Sequence, residues 1–202
     1  MRQPPEKTKS RPKSASGPGR LRIVAGFWRS RVLEVADVPG LRPTPERVRE
    51  TLFNWLTPGI TGKRCLDLYA GTGALGLEAL SRGAKEVVFV EKSLPALASL
   101  KRNVAQLDAK GAEIYATDAT LFLRSSTSRP FDFVFLDPPF AGENLEELCR
   151  LLDERELLQH GAKVYLEMDR ARELPQLPGG WVTLKEKTAG NVRYALVAPE
   201  LR

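Results

Sequence analysis

From Lys63 onward, apolar runs of strand length alternate with stretches whose apolar residues recur at helical spacing. Strands are predicted at residues 64–66 running into Asp67, at 87–90 ending before Glu91, and at 113–116, 131–136 and 163–167. Helices are predicted between them, over 74–81, 95–107 and 145–153, with a short one after Asp118. Such alternation implies a parallel sheet with helices on both faces. Two further β-rich stretches follow, 181–187 and 192–198, with Gly190 and Asn191 between them as turn residues. Upstream, residues 21–25 and 32–36 read as a hairpin joined through 26–31. Thr44 reads as an N-cap and Pro45 as the first helical residue. Val48, Leu52, Trp55 and Leu56 then form one helical face, which stops at residues 57–59.

A length of 202 residues fits one α/β core plus a tail. Cys65 and Cys149 fall in a strand-like and a helix-like apolar stretch, which suggests buried thiols and a reducing, cytoplasmic compartment. No apolar run reaches the roughly 20 residues that span a bilayer, and the polar amino terminus has no signal-peptide core. His160 is the single histidine, so no metal site is expected. The first fifty residues hold 12 Lys/Arg and 5 Asp/Glu, a net of +7 against +6 for the whole chain. The expected organisation is a disordered basic arm over 1–19, a hairpin and helix extension over 20–60, and an α/β domain over 61–202. The arm would serve either as a nonspecific contact for nucleic-acid phosphates or as a solubilising tail.

The run 131–136 delivers Asp137, Pro138, Pro139 and Phe140 to the carboxyl end of a strand, where open α/β sheets bind ligands. The prolines have no N–H and hold φ near −65°, so the backbone there is stiff and accepts hydrogen bonds only. Asp137 adds charged acceptors and Phe140 a flat apolar face. Together they suit a base bearing an exocyclic amine, although a plain strand-to-loop turn would use similar residues. A second motif spans residues 67–76, in which Gly71, Gly73 and Gly76 spell G-x-G-x-x-G. Glycine spacing alone fits several cofactors. Asp67 beside that loop would repel a pyrophosphate and attract a cation. Glu91, twenty positions after Gly71, has the spacing of an acid that binds ribose hydroxyls. Four successive strands thus finish in an acid: Asp67, Glu91, Asp118 and Asp137. Helix capping accounts for Asp118 in part.

The pattern D-x-x-A-G-x-G followed by D-P-P-F resembles class I, S-adenosylmethionine-dependent amino methyltransferases. Residues 22–31 and 40–56 are similar to the bacterial RsmD family, which methylates the N2 amine of a guanine in small-subunit (16S) ribosomal RNA. Ser30 stands where a glycine is usual, and Pro45 and Glu46 where Thr and Asp are common. The resemblance implies a Rossmann-like class I methyltransferase fold. Its seven-stranded, mostly parallel sheet would end in a carboxyl-terminal antiparallel pair, with a small amino-terminal hairpin and helix in addition. It implies S-adenosylmethionine held by Asp67, Tyr69, Ala70, Gly71, Thr72, Gly73, Glu91, Lys92, Asp118 and Ala119. It implies catalysis by Asp137, Pro138, Pro139 and Phe140, and it favours the stretch from Arg42 to Arg47 as a wall of the cofactor and substrate cleft. RNA contacts are expected from Arg22, Arg42 and Arg47 and from the hairpin turn, where Trp28, Arg29 and Arg31 can pair phosphates and stack on a base; the alternative is Trp28 packed on the domain as a lid. Arg42, Arg47 and Arg49 cannot all lie on the core face of their helix, so some would stay available for phosphate or for the cofactor carboxylate. The expected partner is 16S rRNA, free or in an assembling small subunit, and a monomer would suffice. Three alternatives remain: an adenine-N6 DNA methyltransferase, a nucleotide-binding oxidoreductase using the same glycines, and a catalytically silent RNA-binding assembly factor.

Overall fold

The computed structural model describes residues 19–36, 44–57, 59–139 and 144–200. The predicted basic arm, Gly19 apart, and the candidate residues Arg42 and Phe140 lie outside the described residues.

Strands β1 (Arg20–Arg22) and β2 (Val32–Glu34) pair antiparallel as a small hairpin and are followed by helix α1 (Glu46–Leu56). The α/β unit then runs β3 (Arg64–Asp67), α2 (Ala74–Ser81), β4 (Glu86–Val90), α3 (Leu94–Gln106) and β5 (Ala112–Tyr115). It continues with α4 (Ala119–Ser125), β6 (Phe131–Leu136), α5 (Leu145–Glu154), β7 (Leu158–Asp169), β8 (Trp181–Ala189) and β9 (Val192–Pro199). The seven-stranded sheet has the order β5-β4-β3-β6-β7-β9-β8. β9 runs antiparallel to both of its neighbours, and the remaining pairs are parallel. This is the class I methyltransferase arrangement that the motifs imply.

Central strands are apolar on both sides because both faces of the sheet are covered. Cys65, Val87, Phe89, Phe133 and Phe135 pack with the hairpin, α1, α2 and α3. Leu66, Val88, Val90, Val134 and Leu136 pack with α4 and α5 on the other side. Both cysteines are buried free thiols. A Cβ at Gly76 would come within 2.2 Å of the Phe89 ring, so this glycine lets α2 lie directly on β4.

Two local expectations change. Pro45, not Thr44, is the cap residue of α1, and no side chain caps that helix. Its buried face comprises Val48, Arg49, Leu52, Phe53 and Leu56, while Trp55 is half-buried and stacks on Tyr194 with ring centroids 5.4 Å apart. The face is rotated because Arg49, 1% exposed, is drawn inward by Glu78, which is fully buried on α2. Arg49 is therefore a structural ion-pair residue, unavailable to phosphate. Ser30 sits at φ 68°, a left-handed conformation that accounts for the glycine usual at this position.

Candidate active site

The chain leaves β3 toward β4 on one side and returns to β6 on the other, which makes the carboxyl ends of β3 and β6 a topological switch point. Asp67 pairs with Phe135 across that seam, and the Leu68 N–H donates to the Phe135 carbonyl at 3.1 Å. Asp67 and Asp137 thus end adjacent strands.

The glycine loop is tied down by acids. Asp67 is 2% exposed and accepts from the Gly76 N–H at 2.9 Å. Burial pushes its carboxyl up to about 7; the Gly76 N–H opposes the rise, while the charges of Asp137 and Glu91 add to it. Glu91, half-buried, accepts from the Gly71 N–H at 2.7 Å and the Ser93 N–H at 2.6 Å. Each of its oxygens keeps a second lone pair for a ligand hydroxyl. Ala70, Gly71, Thr72 and Gly73 are buried between Asp67 and α2, with Tyr69 half-buried, and Thr72 accepts from Asn103 through its carbonyl at 2.9 Å. Asp118 caps α4, accepting from the Thr120 and Leu121 N–H groups, and Lys92 donates to it at 3.2 Å. Burial alone would raise its pKa, but Lys92 and those amides hold it below the ordinary value. Ala119 is the buried first residue of α4. All ten proposed cofactor residues therefore lie at the carboxyl-terminal edge of β3, β4 and β5.

On the β6 side, Asp137 is half-buried, Pro138 buried and Pro139 exposed. The Thr44 hydroxyl, just before α1, donates to Asp137 Oδ2 at 2.8 Å. One Asp137 oxygen is so engaged. Glu167 on β7 is 3% exposed, faces the same group, and accepts from the Tyr165 hydroxyl at 2.7 Å. Burial pushes Asp137 up to about 6, with the Thr44 hydrogen bond acting against it. Burial, then the Asp137 charge, push Glu167 up to about 8. Three acids with raised pKa values, Asp67, Asp137 and Glu167, gather at this switch point, a concentration typical of a working site. Among the described residues no cluster of His, Cys, Asp or Glu could hold a metal ion.

Comparison with known proteins decides the family. The family model described as conserved hypothetical protein 95 matches residues 21–198. Ribosomal RNA small subunit methyltransferase D of Escherichia coli is 45% identical over 185 residues, covering 92% of this chain and 93% of its own. The Haemophilus influenzae protein of the same name is 45% identical, covering 88% and 93%. A solved structure, the putative methyltransferase yhhF from Escherichia coli, superposes with a TM-score of 0.84 at 42% identity over 91% of this chain and 100% of that one. The chain belongs to the RsmD family.

For this RsmD-family chain, the remaining candidate residues divide between two places. Arg47 is exposed in the first turn of α1, near Thr44 and hence near Asp137. The hairpin lies along α2. Its open end is held at the glycine loop, where Asn103 accepts from the Glu34 N–H at 3.0 Å and donates to the Thr72 carbonyl. Its turn is held at the other end of α2, where Phe27 and Trp28 donate backbone N–H groups to Ser81. Eight residues of helix put roughly 12 Å between these ends. Arg29 and Arg31 are thus exposed at a distance from the glycine loop, and Arg22 is exposed on β1. Trp28 is half-buried on the core, whereas Phe27 is 85% exposed and presents the free ring.

Sequence reasoning missed Glu167, Thr44 as the partner of Asp137, Phe27, and the Arg49–Glu78 pair. Glu167 carried a readable signal, since it too closes an apolar strand run with an acid. Glu78 binds the extension to the core. It accepts from the Val24 and Ala25 N–H groups, from Arg49 at 3.2 Å and from Arg82 at 2.8 Å. Arg49 in turn donates to the Arg22 and Thr44 carbonyls.

Proposed function

We propose that this protein transfers a methyl group from S-adenosylmethionine to the exocyclic N2 amine of a guanine in small-subunit ribosomal RNA. The observation that carries the reading is the adjacency of the acid-tied glycine loop on β3 and the Asp137 and proline corner on β6, at one switch point. Family membership supports the reaction class and the RNA substrate.

The residues present fit the cofactor. Asp67 supplies negative potential for a sulfonium and an ammonium, and Glu91 keeps acceptor capacity for ribose hydroxyls. S-adenosylmethionine supplies an electrophilic methyl group on a sulfonium. What remains for the chain is alignment and handling of one proton. Good alignment alone is worth about 7–11 kcal/mol. The guanine N2 lone pair is delocalised into the ring, so the amine attacks well only when acceptors hold its hydrogens and let the nitrogen move toward tetrahedral geometry. The second Asp137 oxygen and the Pro138 carbonyl are those acceptors, in a corner whose prolines offer no competing N–H. Asp137, whose pKa burial pushes up to about 6, is the base that takes up the proton that the amine releases. A base paired within a helix could not enter such a corner, so the target is flipped or unpaired.

The test is transfer of labelled methyl to small-subunit RNA or particles, with the labelled nucleoside identified. Label on guanine N2 is expected, and label on DNA adenine, or cofactor binding without transfer, would overturn the reading. Asp137→Asn should lower turnover by about 10²–10⁴-fold while cofactor affinity stays within a few-fold by calorimetry.

A further inference from the structure

The Thr44 hydroxyl has one proton and faces two acids. It donates to Asp137 Oδ2 at 2.8 Å, and Glu167 lies against the same hydroxyl from β7. Glu167 already accepts the Tyr165 hydroxyl at 2.7 Å, so it receives one donor from behind and meets Thr44 in front. Were both acids ionised, one would face the Thr44 oxygen with no proton between them, and two buried like charges would oppose each other. The arrangement is satisfied when one acid is protonated and donates into the Thr44 oxygen. Glu167 is buried and Asp137 is partly open to solvent, so the proton belongs on Glu167 and the charge on Asp137. Thr44 itself is held firmly. It is buried, and its carbonyl accepts from Arg49 Nε at 3.3 Å, while the guanidinium of Arg49 is fixed by Glu78 and the Arg22 carbonyl.

We infer that Thr44 and Glu167 are positioning residues for methyl transfer: a hydrogen-bond chain from Glu167 through Thr44 to Asp137 fixes the direction of the second Asp137 oxygen and confines a single negative charge to the Asp137 carboxylate. This inference rests on the methyl-transfer reading above. The other titratable groups around the chain are Asp67 at the end of β3, Tyr165 on β7, Tyr194 on β9 and Arg49 on α1. The order of the two acids agrees, with Glu167 pushed up to about 8 and Asp137 to about 6. Above pH 8 the chain loses its first donor and a second charge arrives beside the first. Neither Thr44 nor Glu167 is assigned a contact with the reacting atoms.

The test uses the full chain and four variants, with turnover, Michaelis constants and pH profiles on small-subunit RNA, plus carboxyl-carbon NMR titration of protein labelled at Asp and Glu. Thr44→Val should lower kcat by about 10- to 100-fold. Its Michaelis constant for the methyl donor should stay within about twofold. Its acidic limb should move to higher pH, because the lost donor no longer favours the ionised Asp137. Thr44→Ser should restore both. Glu167→Gln keeps a donor toward Thr44 and should stay near wild type at neutral pH, whereas Glu167→Leu should resemble Thr44→Val. A purely structural role would lower activity without moving the limb. A wild-type kcat and limb in Thr44→Val would overturn the inference, as would equal behaviour of Glu167→Gln and Glu167→Leu. Each variant is melted in parallel, and should Thr44→Val prove unstable, the two Glu167 variants carry the same decision. NMR decides independently of turnover: the Asp137 step should rise in Thr44→Val, and if that titration is unchanged the chain does not exist. Wild-type protein that transfers nothing to guanine would refute the proposed function instead, leaving the NMR result to stand alone.

Discussion

Glu78 satisfies more of this molecule than any other single carboxylate described here. Its oxygens receive two backbone N–H groups from the hairpin and the cations of Arg49 and Arg82. Arg49 is equally buried, and burial pulls its pKa down, with Glu78 and then Glu46 opposing that pull. Replacing one partner leaves the other as an uncompensated charge, so Glu78→Ala should lower unfolding free energy by about 3–5 kcal/mol, measured by denaturant titration. The effect should extend to catalysis, because Arg49 also holds the Thr44 carbonyl. Thr44 itself illustrates a limit of local reading: threonine before proline is a sound cap signal, yet its hydroxyl is taken by an acid 93 positions away.

At the scale of elements, the hairpin is a brace along α2 whose two ends have different company. Its open end meets the glycine loop through Asn103, and its turn is seated on Ser81. A Cβ at Gly26 would lie 1.8 Å from the Ser81 carbonyl oxygen, so only glycine permits this seat. The seat turns Trp28 toward the core and Phe27 outward, beside exposed Arg29 and Arg31. Basic and aromatic residues on one turn suit an unpaired base and its phosphates. Phe27→Ala should weaken RNA binding by about 1–3 kcal/mol in a filter or fluorescence assay. It should leave thermal stability and cofactor affinity unchanged, and a loss of stability instead would make Phe27 a packing residue. The alternation of runs from Lys63 onward made the strands and helices legible, because a sheet covered on both faces needs apolar runs. Which aromatic of the turn is free depends on how Gly26 meets Ser81, and periodicity carries no trace of that.

Across the whole molecule, acids are gathered at one edge of the sheet, and this gives stability a pH dependence of definite sign. Asp67, Asp137 and Glu167 have folded pKa values of about 7, 6 and 8, all raised above the unfolded values near 4. Between those limits the folded state binds more protons than the unfolded one. Their contribution is therefore fully present below about pH 4 and is lost as pH rises through the folded values. A cationic ligand bound among them should reverse part of that loss, so S-adenosylmethionine should raise Tm more at pH 8 than at pH 5.5. An equal increment at both would place the ligand away from these acids. Much of this edge was readable in advance, since glycines and acids at strand ends mark the loops of an open α/β sheet. Glu167 follows an apolar run in the same way, although β7 continues past it to Asp169. The coupling of Asp137 to Thr44 and Glu167 was not readable, since it joins three segments that only folding brings together. In the proposed reaction the glycine loop and the Asp137 corner form two walls of one cleft. A crystal structure with S-adenosylmethionine bound tests it most directly. The methyl group should point at the Asp137 and Pro138 corner across a gap that admits one amine nitrogen, with reacting atoms about 3–3.5 Å apart once a base is present. A sulfonium turned toward β4 and β5, away from β6, would contradict it.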